Sequence, residues 1–428
     1  ILLDSGAYSD ASPLVAEKAG YRLPGPYNWQ HLNIDCDCIL TNTTPAGPYR
    51  GFGGTQASWA SESQLDIIAR ALGRDPFDLR MQNLKKLGEA YVPGESGIDS
   101  DLGEGLKVVA ERAGYQDRPR GNGRGMGVSV GFKDAGGVNK PAQARIRITT
   151  TGGVYLECGT VEIGQGIHAD RVVYPELNTD YTPFDQGTNA SSAIIVMGMA
   201  VQQATLEAKR KVLDFAAREL DCGIDEIALD DWSIRKGNES HPLAPMIMRY
   251  YGGTGYEFSG AGFFKPDMDH AAPLETQCVS WEFGWGVAEV EVDRETGLIR
   301  LLQLVVSGDA GRAINPLVCR GQDEGSAVMG LTGVLFPCMV YDGAILMNGN
   351  GLDYRVPLAT DIPDGFASVL QEQGHGPGPF GAKSIGEGCM LPVASAIANA
   401  VEDAIGVRIR ELPLTPERVL AAIDEAAG

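Results

Sequence analysis

The sequence lacks the residue patterns that most often hold metals, nucleotides or membranes. Its 8 cysteines and 5 histidines form no CxxC pair and no cluster with zinc or iron–sulfur spacing. It has no P-loop and no Rossmann fingerprint after a predicted strand, and no apolar run is long enough to span a membrane. Its 35 basic residues face 56 acidic ones, and the net charge of −21 argues against nucleic acid or an anionic membrane as partner. Scattered cysteines favour reduced thiols and therefore a cytoplasmic location.

The sequence does have length, apolar content and many glycines. Its 428 residues are 43% hydrophobic and 21% charged, which is typical of a globular chain with two or three domains. The 56 glycines favour turns and close backbone contacts. The chain opens on Ile1–Tyr8, which has the pattern of a strand and turn and carries no initiator Met. We therefore expect the front of a larger protein to be missing or to lie on another chain.

Helices and strand pairs alternate along the chain without a βαβ repeat, which predicts an α+β fold. The first 50 residues have the pattern of loops and short strands, and a polar, glycine-rich stretch near residue 120 predicts a domain boundary. Apolar spacing and capping residues predict helices near 55–72, 76–84, 102–113, 194–220 and 322–335, and strands near 125–132, 142–149, 154–158, 284–292 and 298–306.

One carboxylate, Glu387, lies between glycines in Gly381–Gly388, directly before an apolar run that begins near Pro392. A proline near the start of such a run suits the first turn of a helix. Glu387 is therefore predicted on a glycine-rich turn that leads into a mostly buried helix. A carboxylate with little access to water is a candidate general base. The alternative is an ordinary acid at a helix N-terminus, where the helix dipole favours negative charge.

Four other glycine-rich loops combine small residues with one or two polar side chains. These side chains are Arg50, Gln165 within Gly164–Gly166, Ser191 with Ser192, and Gln322, while Lys383 accompanies Glu387 in the fifth loop. Backbone amides and neutral amide side chains can cradle a phosphate-bearing ligand without a P-loop. A turn explains each loop taken alone, but five loops so far apart in the sequence together indicate a ligand site.

The order of these motifs resembles that of the xanthine oxidase family of molybdenum hydroxylases. The matching stretches are 45–54, 162–168, 309–316 with 321–325, 381–387 and 412–417. The resemblance covers nearly the whole chain and corresponds to roughly the last two thirds of that family's molybdenum-binding subunit. It implies the mixed sheets and helices of the family's molybdopterin-binding domains. Residues 1–120 would complete the first such domain on the substrate-loop side, and 121–428 would form the second domain with the catalytic base.

The resemblance also implies a cofactor and roles for single residues. Molybdenum is held by the dithiolene of molybdopterin, commonly the cytosine dinucleotide in bacteria, and not by protein ligands. Glu387 takes the place of the glutamate that accepts a proton from a hydroxyl ligand of the metal. Phe52 matches an aromatic residue that packs on the substrate ring, and its backbone and that of Gly53 lie near the metal. The other positions expected at the cofactor are Gly164, Gln165, Arg50, Ala190, Ser191, Gln322 and Lys383.

Lys18 is a candidate substrate-binding residue. Counted back from the Tyr49 loop without gaps, it falls where purine-oxidising members of the family keep an arginine that binds the substrate. A lysine there would meet an anionic or carbonyl group, whereas the alternative is a solvated helix lysine. Two departures from the family pattern accompany these matches. Ser384 replaces a common glycine, and residues 169–185 contain two prolines where the family has a helix.

The resulting expectation is a molybdenum hydroxylase that inserts oxygen from water into an N-heteroaromatic ring or an aldehyde. A [2Fe–2S] subunit and an FAD subunit are expected as partners, because this sequence has neither motif, and a further chain or segment must supply the front of the molybdenum subunit. One alternative is a relative that reduces an aromatic acyl-CoA thioester. The other is a non-catalytic subunit that binds the cofactor as a scaffold.

Overall fold

The computed structural model describes residues 1–118, 121–137, 139–150, 152–166, 172–252, 256–266, 278–336, 339–374 and 376–427. These residues form helices α1 (Ser12–Arg22), α2 (Gly54–Ala71), α3 (Pro76–Asn83), α4 (Leu102–Ala113), α5 (Ala193–Glu219), α6 (Leu243–Tyr251), α7 (Pro316–Leu335), α8 (Val393–Ile405) and α9 (Pro416–Ala427). They form strands β1 (Leu2–Asp4), β2 (Asp37–Ile39), β3 (Arg124–Ala135), β4 (Ala142–Thr149), β5 (Val154–Cys158), β6 (Ile227–Asp230), β7 (Ser233–Lys236), β8 (Glu239–Pro242), β9 (Glu257–Phe264), β10 (Ser280–Val292), β11 (Ile299–Asp309), β12 (Tyr341–Asp342), β13 (Ile345–Leu346) and β14 (Gly365–Gln371).

The chain divides into two compact units. The first unit comprises Ile1–Ala135, His270–Gly376 and Ile385–Gly428, and the second comprises Gly136–Asp269 and Pro377–Ser384. Helices pack on mixed and antiparallel sheets, which confirms the predicted α+β class. The family-domain boundary near residue 120 stays a prediction, and residues 119 and 120 lie outside the described part of the chain. Among the described residues, no helix is long and apolar enough to cross a membrane.

A four-stranded sheet organises the first unit, in the order β14–β11–β10–β3. β11 and β14 run parallel, and the other neighbouring strands run antiparallel. Both faces of the sheet are covered, so almost every residue of β3 is buried. On one face, the ring of Trp285 packs against α4. A Cβ added at Gly105 in that helix would lie 2.2 Å from the Trp285 ring, so only glycine fits there.

Glycines on β3 bring α8 against the other face of this sheet. A Cβ at Gly127 would lie 2.2 Å from the Ala396 carbonyl oxygen, and one at Gly125 would lie 2.3 Å from that of Ala400. Alternate residues of a strand share one face, while residues four apart share one side of a helix. The glycine spacing on β3 therefore matches the alanine spacing on α8. This close contact fixes the start of α8, which follows the Glu387 turn.

In the second unit, glycines of a strand again pack against alanines of a helix, here between the sheet β5–β4–β9 and α5. A Cβ at Gly262 would lie 1.9 Å from the Ala200 carbonyl oxygen, and one at Gly260 would lie 2.0 Å from that of Ala204. A row of buried small residues on α5 faces the sheet, and alternate residues of β4 complete the core. The small antiparallel sheet β6–β7–β8 and α6 complete this unit.

Two helices differ from the sequence prediction, and β3, β10 and β11 extend three or four residues beyond their predicted bounds. Residues 1–50 were expected to hold only loops and short strands, but they include α1, whose start at Ser12 and Pro13 is an ordinary helix signal. Its buried face includes Val15 and Ala19. Helix α7 begins at Pro316 and not near 322, because the Asn315 side chain accepts a hydrogen bond from the Val318 N–H at 3.3 Å and caps the helix.

Candidate active site

The loop before α2 has an unusual backbone. Gly51, Phe52 and Gly53 have φ angles of +87°, +39° and +80°, three left-handed residues in a row. The Phe52 N–H donates to the Tyr49 carbonyl at 2.8 Å, which closes the turn. A Cβ at Gly53 would lie 2.5 Å from the Val15 carbonyl oxygen, so this loop packs directly on α1. The resulting geometry holds the half-buried Phe52 side chain and points the Gly51 amide toward another loop.

That other loop carries Glu387. The Gly51 N–H donates to Oε1 of Glu387 at 2.9 Å, and the ammonium of Lys133 lies 2.9 Å from Oε2. The Glu387 side chain is 17% exposed, so it remains reachable from solvent while both its oxygens are held. Gly386 has a φ of +142°, which glycine adopts readily. The structure therefore places Glu387 on a glycine-rich turn before a buried helix, as the sequence predicts.

Two buried residues that the sequence interpretation missed fix this carboxylate. Lys133 on β3 and Glu282 on β10 are direct cross-strand partners, and the Lys133 ammonium lies 3.1 Å from Oε2 of Glu282. The other oxygen of Glu282 accepts the N–H groups of Glu387 at 2.6 Å and Gly388 at 2.8 Å. The two side chains are 1% and 2% exposed. Glu282 thus holds the backbone of the turn, while Lys133 bridges the two carboxylates.

The charges of this cluster influence one another. Burial alone would lower the pKa of Lys133, but the carboxylates of Glu387 and Glu282 outweigh it and raise that pKa above its ordinary value. Lys133 therefore remains a cation. Lys133 and Glu282 lie just outside the strands that the sequence predicts at 125–132 and 284–292, so no sequence pattern marks them. Without the pairing of β3 and β10, nothing in the sequence brings them together.

Arg50 ties the Glu387 loop to α7. Its Nε donates to the Gly386 carbonyl at 2.5 Å, and its Nη2 donates to Oε1 of Gln322 at 3.0 Å. Burial lowers the pKa of Arg50 below its ordinary value, although Glu282 and Glu387 oppose this effect. Arg50 and Gln322 were predicted at the cofactor on separate motifs, 272 positions apart, and the structure brings them into contact. Both lie beside the turn that carries Glu387.

A buried acid lies next to Gln322. Asp323 is 1% exposed, and burial raises its pKa to about 7, although a hydrogen bond with the Cys389 thiol opposes this. Its carboxyl oxygens also lie against β11, since a Cβ at Gly308 would be 2.7 Å from Oδ1. Among the residues that the structure describes, no group of three or more histidine, cysteine or acidic side chains could bind a metal ion.

Lys18 lies on α1 and is paired with an acid. Its ammonium is 2.8 Å from Oδ2 of Asp134, and its side chain is 17% exposed. Arg22 also binds Asp134 at 2.6 Å and donates to the Phe52 carbonyl at 2.5 Å. Burial raises the pKa of Asp134, but Arg22 and Lys18 outweigh it and hold that pKa well below its ordinary value. Lys18 therefore belongs to an ion-pair cluster that contacts the Phe52 loop through Arg22.

The remaining predicted positions lie in the second unit. Gln165 is held within its own loop, because its Oε1 accepts the Ile163 N–H at 2.6 Å and its Nε2 donates to the Val161 carbonyl at 2.7 Å. Nε2 also donates to the Thr188 hydroxyl at 3.0 Å. Gly164 has a φ of +103° in this loop. The end of the motif, residues 167 and 168, lies outside the described residues.

Ala190 and Ser191 precede α5, with φ angles of +50° and +52°. Two consecutive non-glycine residues in this region are uncommon and mark strain at functional turns. The Ser192 hydroxyl donates back to the Asn189 carbonyl at 2.7 Å, so this N-cap residue leaves the first N–H groups of α5 without a side-chain cap. An uncapped helix N-terminus after a left-handed turn is suited to an anion such as phosphate.

Lys383, the last of the positions predicted at the cofactor, is buried, at 2% exposure.

Comparison with known proteins shows what the chain is similar to. Two models of molybdopterin cofactor-binding domains match residues 1–84 and 105–363. The chain is 30% identical to the xanthine dehydrogenase molybdenum-binding subunit of Escherichia coli O157:H7, over 98% of this chain and 59% of that protein. It is 28% identical to subunit gamma of the 6-hydroxypseudooxynicotine dehydrogenase complex of Paenarthrobacter nicotinovorans, over 98% and 57%.

Solved structures share the fold. Quinoline 2-oxidoreductase from Pseudomonas putida 86 matches with a TM-score of 0.85 and 24% identity, over 99% of this chain and 59% of that one. The chain therefore spans about three fifths of the length of the curated relatives that it matches.

Proposed function

Because the chain belongs to the molybdopterin-binding subunits of the xanthine oxidase family, we propose that it forms part of a molybdenum hydroxylase. The enzyme would insert oxygen from water into an N-heteroaromatic ring or an aldehyde. A relative named for xanthine, an N-heterocycle, favours the first class. The observation that carries the proposal is the Glu387 carboxylate, held by the Gly51 amide and Lys133 beside the Phe52 loop.

The residues present fit a phosphate-bearing pterin. In the second unit, the left-handed turn at Ala190 and Ser191 leads into the uncapped start of α5, which suits a phosphate. In the first unit, Gln322 lies beside the Gly386 turn and is held by Arg50. We propose that these residues hold molybdopterin as the cytosine dinucleotide, together with Gln165, Gly164, Gly53 and Lys383. When bound, the group supplies two-electron oxidation chemistry with water as the oxygen source.

Glu387 is proposed as the proton acceptor. Both of its oxygens are bound by groups that stabilise a negative charge, the Gly51 amide and the Lys133 ammonium. The carboxylate is therefore held in one orientation, and it remains partly exposed, so a proton can reach it. A general base needs this combination of orientation and limited access to water. An acid that merely caps a helix would not need a buried lysine partner.

Lys133 and Glu282 are proposed as positioning residues for this base. Glu282 receives two backbone N–H groups of the turn, and Lys133 links Glu282 to Glu387. Since both lie on neighbouring strands of the four-stranded sheet, the base is anchored to the sheet that organises the first unit. Arg50 is proposed to help position the same turn, because it donates hydrogen bonds to the Gly386 carbonyl and to the Gln322 side chain.

Phe52 and Lys18 are proposed to bind the substrate. The strained backbone at Phe52 fixes a half-buried aromatic side chain, and a flat ring suits packing against a heterocycle. Lys18 is already paired with Asp134. A substrate carbonyl or anion would therefore share this ammonium with an acid, which favours a neutral carbonyl over a full negative charge.

The proposed enzyme needs partners. Electrons would leave through a [2Fe–2S] subunit and an FAD subunit, and the part of the family subunit beyond this chain would complete the site. All 7 cysteines that the structure describes are free thiols, which supports a reducing, cytoplasmic environment. A reductase of aromatic acyl-CoA thioesters and a non-catalytic scaffold are the competing proposals.

Metal and pterin analysis of the protein purified from its host separates these proposals. We expect about one molybdenum and one pterin per chain, with dye reduction under anaerobic conditions by N-heterocycles or aldehydes. A protein with the cofactor but no reduction by any compound of either class would favour the scaffold. Oxidation of a reduced dye by an aromatic acyl-CoA only would favour the acyl-CoA reductase. Absence of molybdenum from an intact complex would contradict the proposed function itself.

A further inference from the structure

A buried arginine of α1 contacts the loop that carries Phe52. The Arg22 side chain is 2% exposed. Its Nη1 donates to the Gly51 carbonyl at 3.1 Å and to the Phe52 carbonyl at 2.5 Å. Its Nε donates to Oδ1 of Asp134 at 2.7 Å, and its Nη2 lies 2.6 Å from the same oxygen. Arg22 therefore connects an acid near the end of β3 with two consecutive carbonyl groups of the loop.

These two carbonyls belong to a backbone that is unfavourable by itself. Gly51 and Phe52 have φ angles of +87° and +39°, and a phenylalanine in the left-handed region is uncommon. Such conformations persist only where the surrounding structure fixes them. Within the loop, the Phe52 N–H donates to the Tyr49 carbonyl and the Gly54 N–H donates to the Gly51 carbonyl, both at 2.8 Å. Arg22 adds two bonds from a different element, so we expect the loop to relax when these are lost.

Gly51 links this loop to the Glu387 turn. Its N–H donates to Oε1 of Glu387 at 2.9 Å, while its carbonyl accepts the bond from Arg22. A Cβ at Gly51 would lie 3.1 Å from Cδ2 of Leu391, so the loop also packs against the residues that follow the turn. An N–H that donates to a carboxylate favours its ionised form. A change in the position of Gly51 would therefore alter how readily Glu387 takes up a proton.

Neutralising Asp134 does not by itself require Arg22. The Lys18 ammonium already lies 2.8 Å from Oδ2, the other oxygen of this acid. Lys133, the residue before Asp134 on β3, pairs with Oε2 of Glu387 at 2.9 Å. β3 therefore supports the Glu387 turn through one residue and, through Arg22, the loop before α2 with the next.

We propose that Arg22 is a positioning residue of the active site, which holds the Gly51 amide against Glu387 and keeps the Phe52 loop in its left-handed conformation. This role rests on the proposed function, in which Glu387 is the proton acceptor and Phe52 contacts the substrate. Arg22 acts through the backbone of the loop, so its loss should change the protonation of the base as well as the stability of the fold. An ion pair with a purely structural role would change stability alone.

Hydrogen exchange of residues 48–54, followed by mass spectrometry, tests the loop without any need for activity. The protein is purified from its host with any chains that accompany it. Arg22→Lys keeps a cation for Asp134, but a single ammonium lacks the planar fork that serves the acid and the loop together. Arg22→Met combined with Asp134→Leu removes both buried charges, a replacement that folds often tolerate. Both proteins should exchange these amides at least about tenfold faster, because hydrogen bonds to the loop are lost.

The pH profile of anaerobic dye reduction tests the link to the base. In both variants the acidic limb of kcat/KM should move up by at least about half a pH unit, because the Gly51 amide no longer favours the ionised carboxylate. Arg118→Lys is the matched control, since Arg118 is 8% exposed, pairs with Asp75 and donates to the Tyr115 carbonyl at 3.1 Å. This variant should leave both the loop exchange and the acidic limb unchanged.

Unchanged exchange of residues 48–54 in both Arg22 variants would overturn the proposal, as would equally fast exchange in Arg118→Lys. Faster exchange with an unmoved acidic limb would overturn the link from Arg22 to Glu387. If the unchanged protein reduces no dye with any substrate, the proposed function fails, while the exchange measurement still decides whether Arg22 holds the loop.

Discussion

Replacing Lys133 with methionine isolates what the buried cation does at the Glu387 turn. Methionine keeps most of the volume and removes the ammonium that lies 2.9 Å from Glu387 and 3.1 Å from Glu282. Two carboxylates that shared one cation are then left close together. Glu282 keeps the two backbone N–H groups that it accepts, so the turn is not released entirely.

The magnitude follows from the burial of these groups. Removing one partner of a buried ion pair typically lowers the free energy of unfolding by about 3–5 kcal/mol, because the other charge stays buried and unpaired. Since Glu282 retains two donors and Glu387 retains the Gly51 amide, we expect the lower end, about 3 kcal/mol. One of the two carboxylates should also take up a proton more readily. If Glu387 is the base, the acidic limb of the kcat/KM profile should move up by at least about one pH unit.

Denaturant unfolding and the pH profile of dye reduction measure these two effects. Lys107→Met on α4 is the matched control, since this exposed lysine should change stability by less than about 0.5 kcal/mol. Adding Glu282→Gln to Lys133→Met removes one of the two crowded carboxylates and keeps an oxygen for the two N–H groups. This double variant should recover a good part of the acidic limb. A Lys133→Met protein as stable as the control, with an unchanged pH profile, would refute the reasoning.

Two further predictions concern stability. Asp323 has a folded-state pKa of about 7 against an ordinary 3.8, so its protonated form stabilises the fold fully below pH 3.8, and this contribution is lost as the pH rises through 7. At ~1.4 kcal/mol per pH unit between those values, Asp323→Asn should raise the free energy of unfolding at pH 8 by up to about 4 kcal/mol. The substitution should also flatten the pH dependence of stability. An unchanged pH dependence would contradict the raised pKa of Asp323. In the denaturant assay, Gly53→Ala should lower the free energy of unfolding by about 2–4 kcal/mol, because it adds a clash with the Val15 carbonyl to the strain of a left-handed backbone. Gly73→Ala is the control. Gly73 has a φ of +62° and open space around it, so this variant should lose only about 1 kcal/mol, which is the cost of the backbone strain.

The sequence predicts the regular elements well where periodicity and capping agree. α2, α3, α4 and α5 lie within a residue or so of their predicted bounds, because each combines an apolar stripe with an ordinary start or stop residue. For α3, the Asp75 carboxylate accepts the Phe77 N–H at 2.8 Å and caps the helix. α1 was missed although Ser12 and Pro13 mark its start, because the loops and short strands around it dominate the pattern of residues 1–50.

The candidate site could be predicted only in part. Glycine-rich loops with one polar residue identify Glu387, Arg50 and Gln322, because unusual backbone needs glycine and chemistry needs the polar group. The Lys133–Glu282 pair could not be found in this way. The contact between Lys133 and Glu282 depends on the register between β3 and β10, which places the two residues opposite each other. Long-range pairing of this kind leaves no local signal in the sequence.

The assignment of Glu387 as the base has one most direct test. Glu387→Gln keeps the shape and the acceptor for the Gly51 amide but removes the charge that Lys133 neutralises. Molybdenum and pterin contents should match those of the unchanged protein, while kcat for the best substrate in anaerobic dye reduction should fall by about 10²–10⁴-fold. A variant with full cofactor and undiminished kcat would contradict the assignment of Glu387 as the proton acceptor.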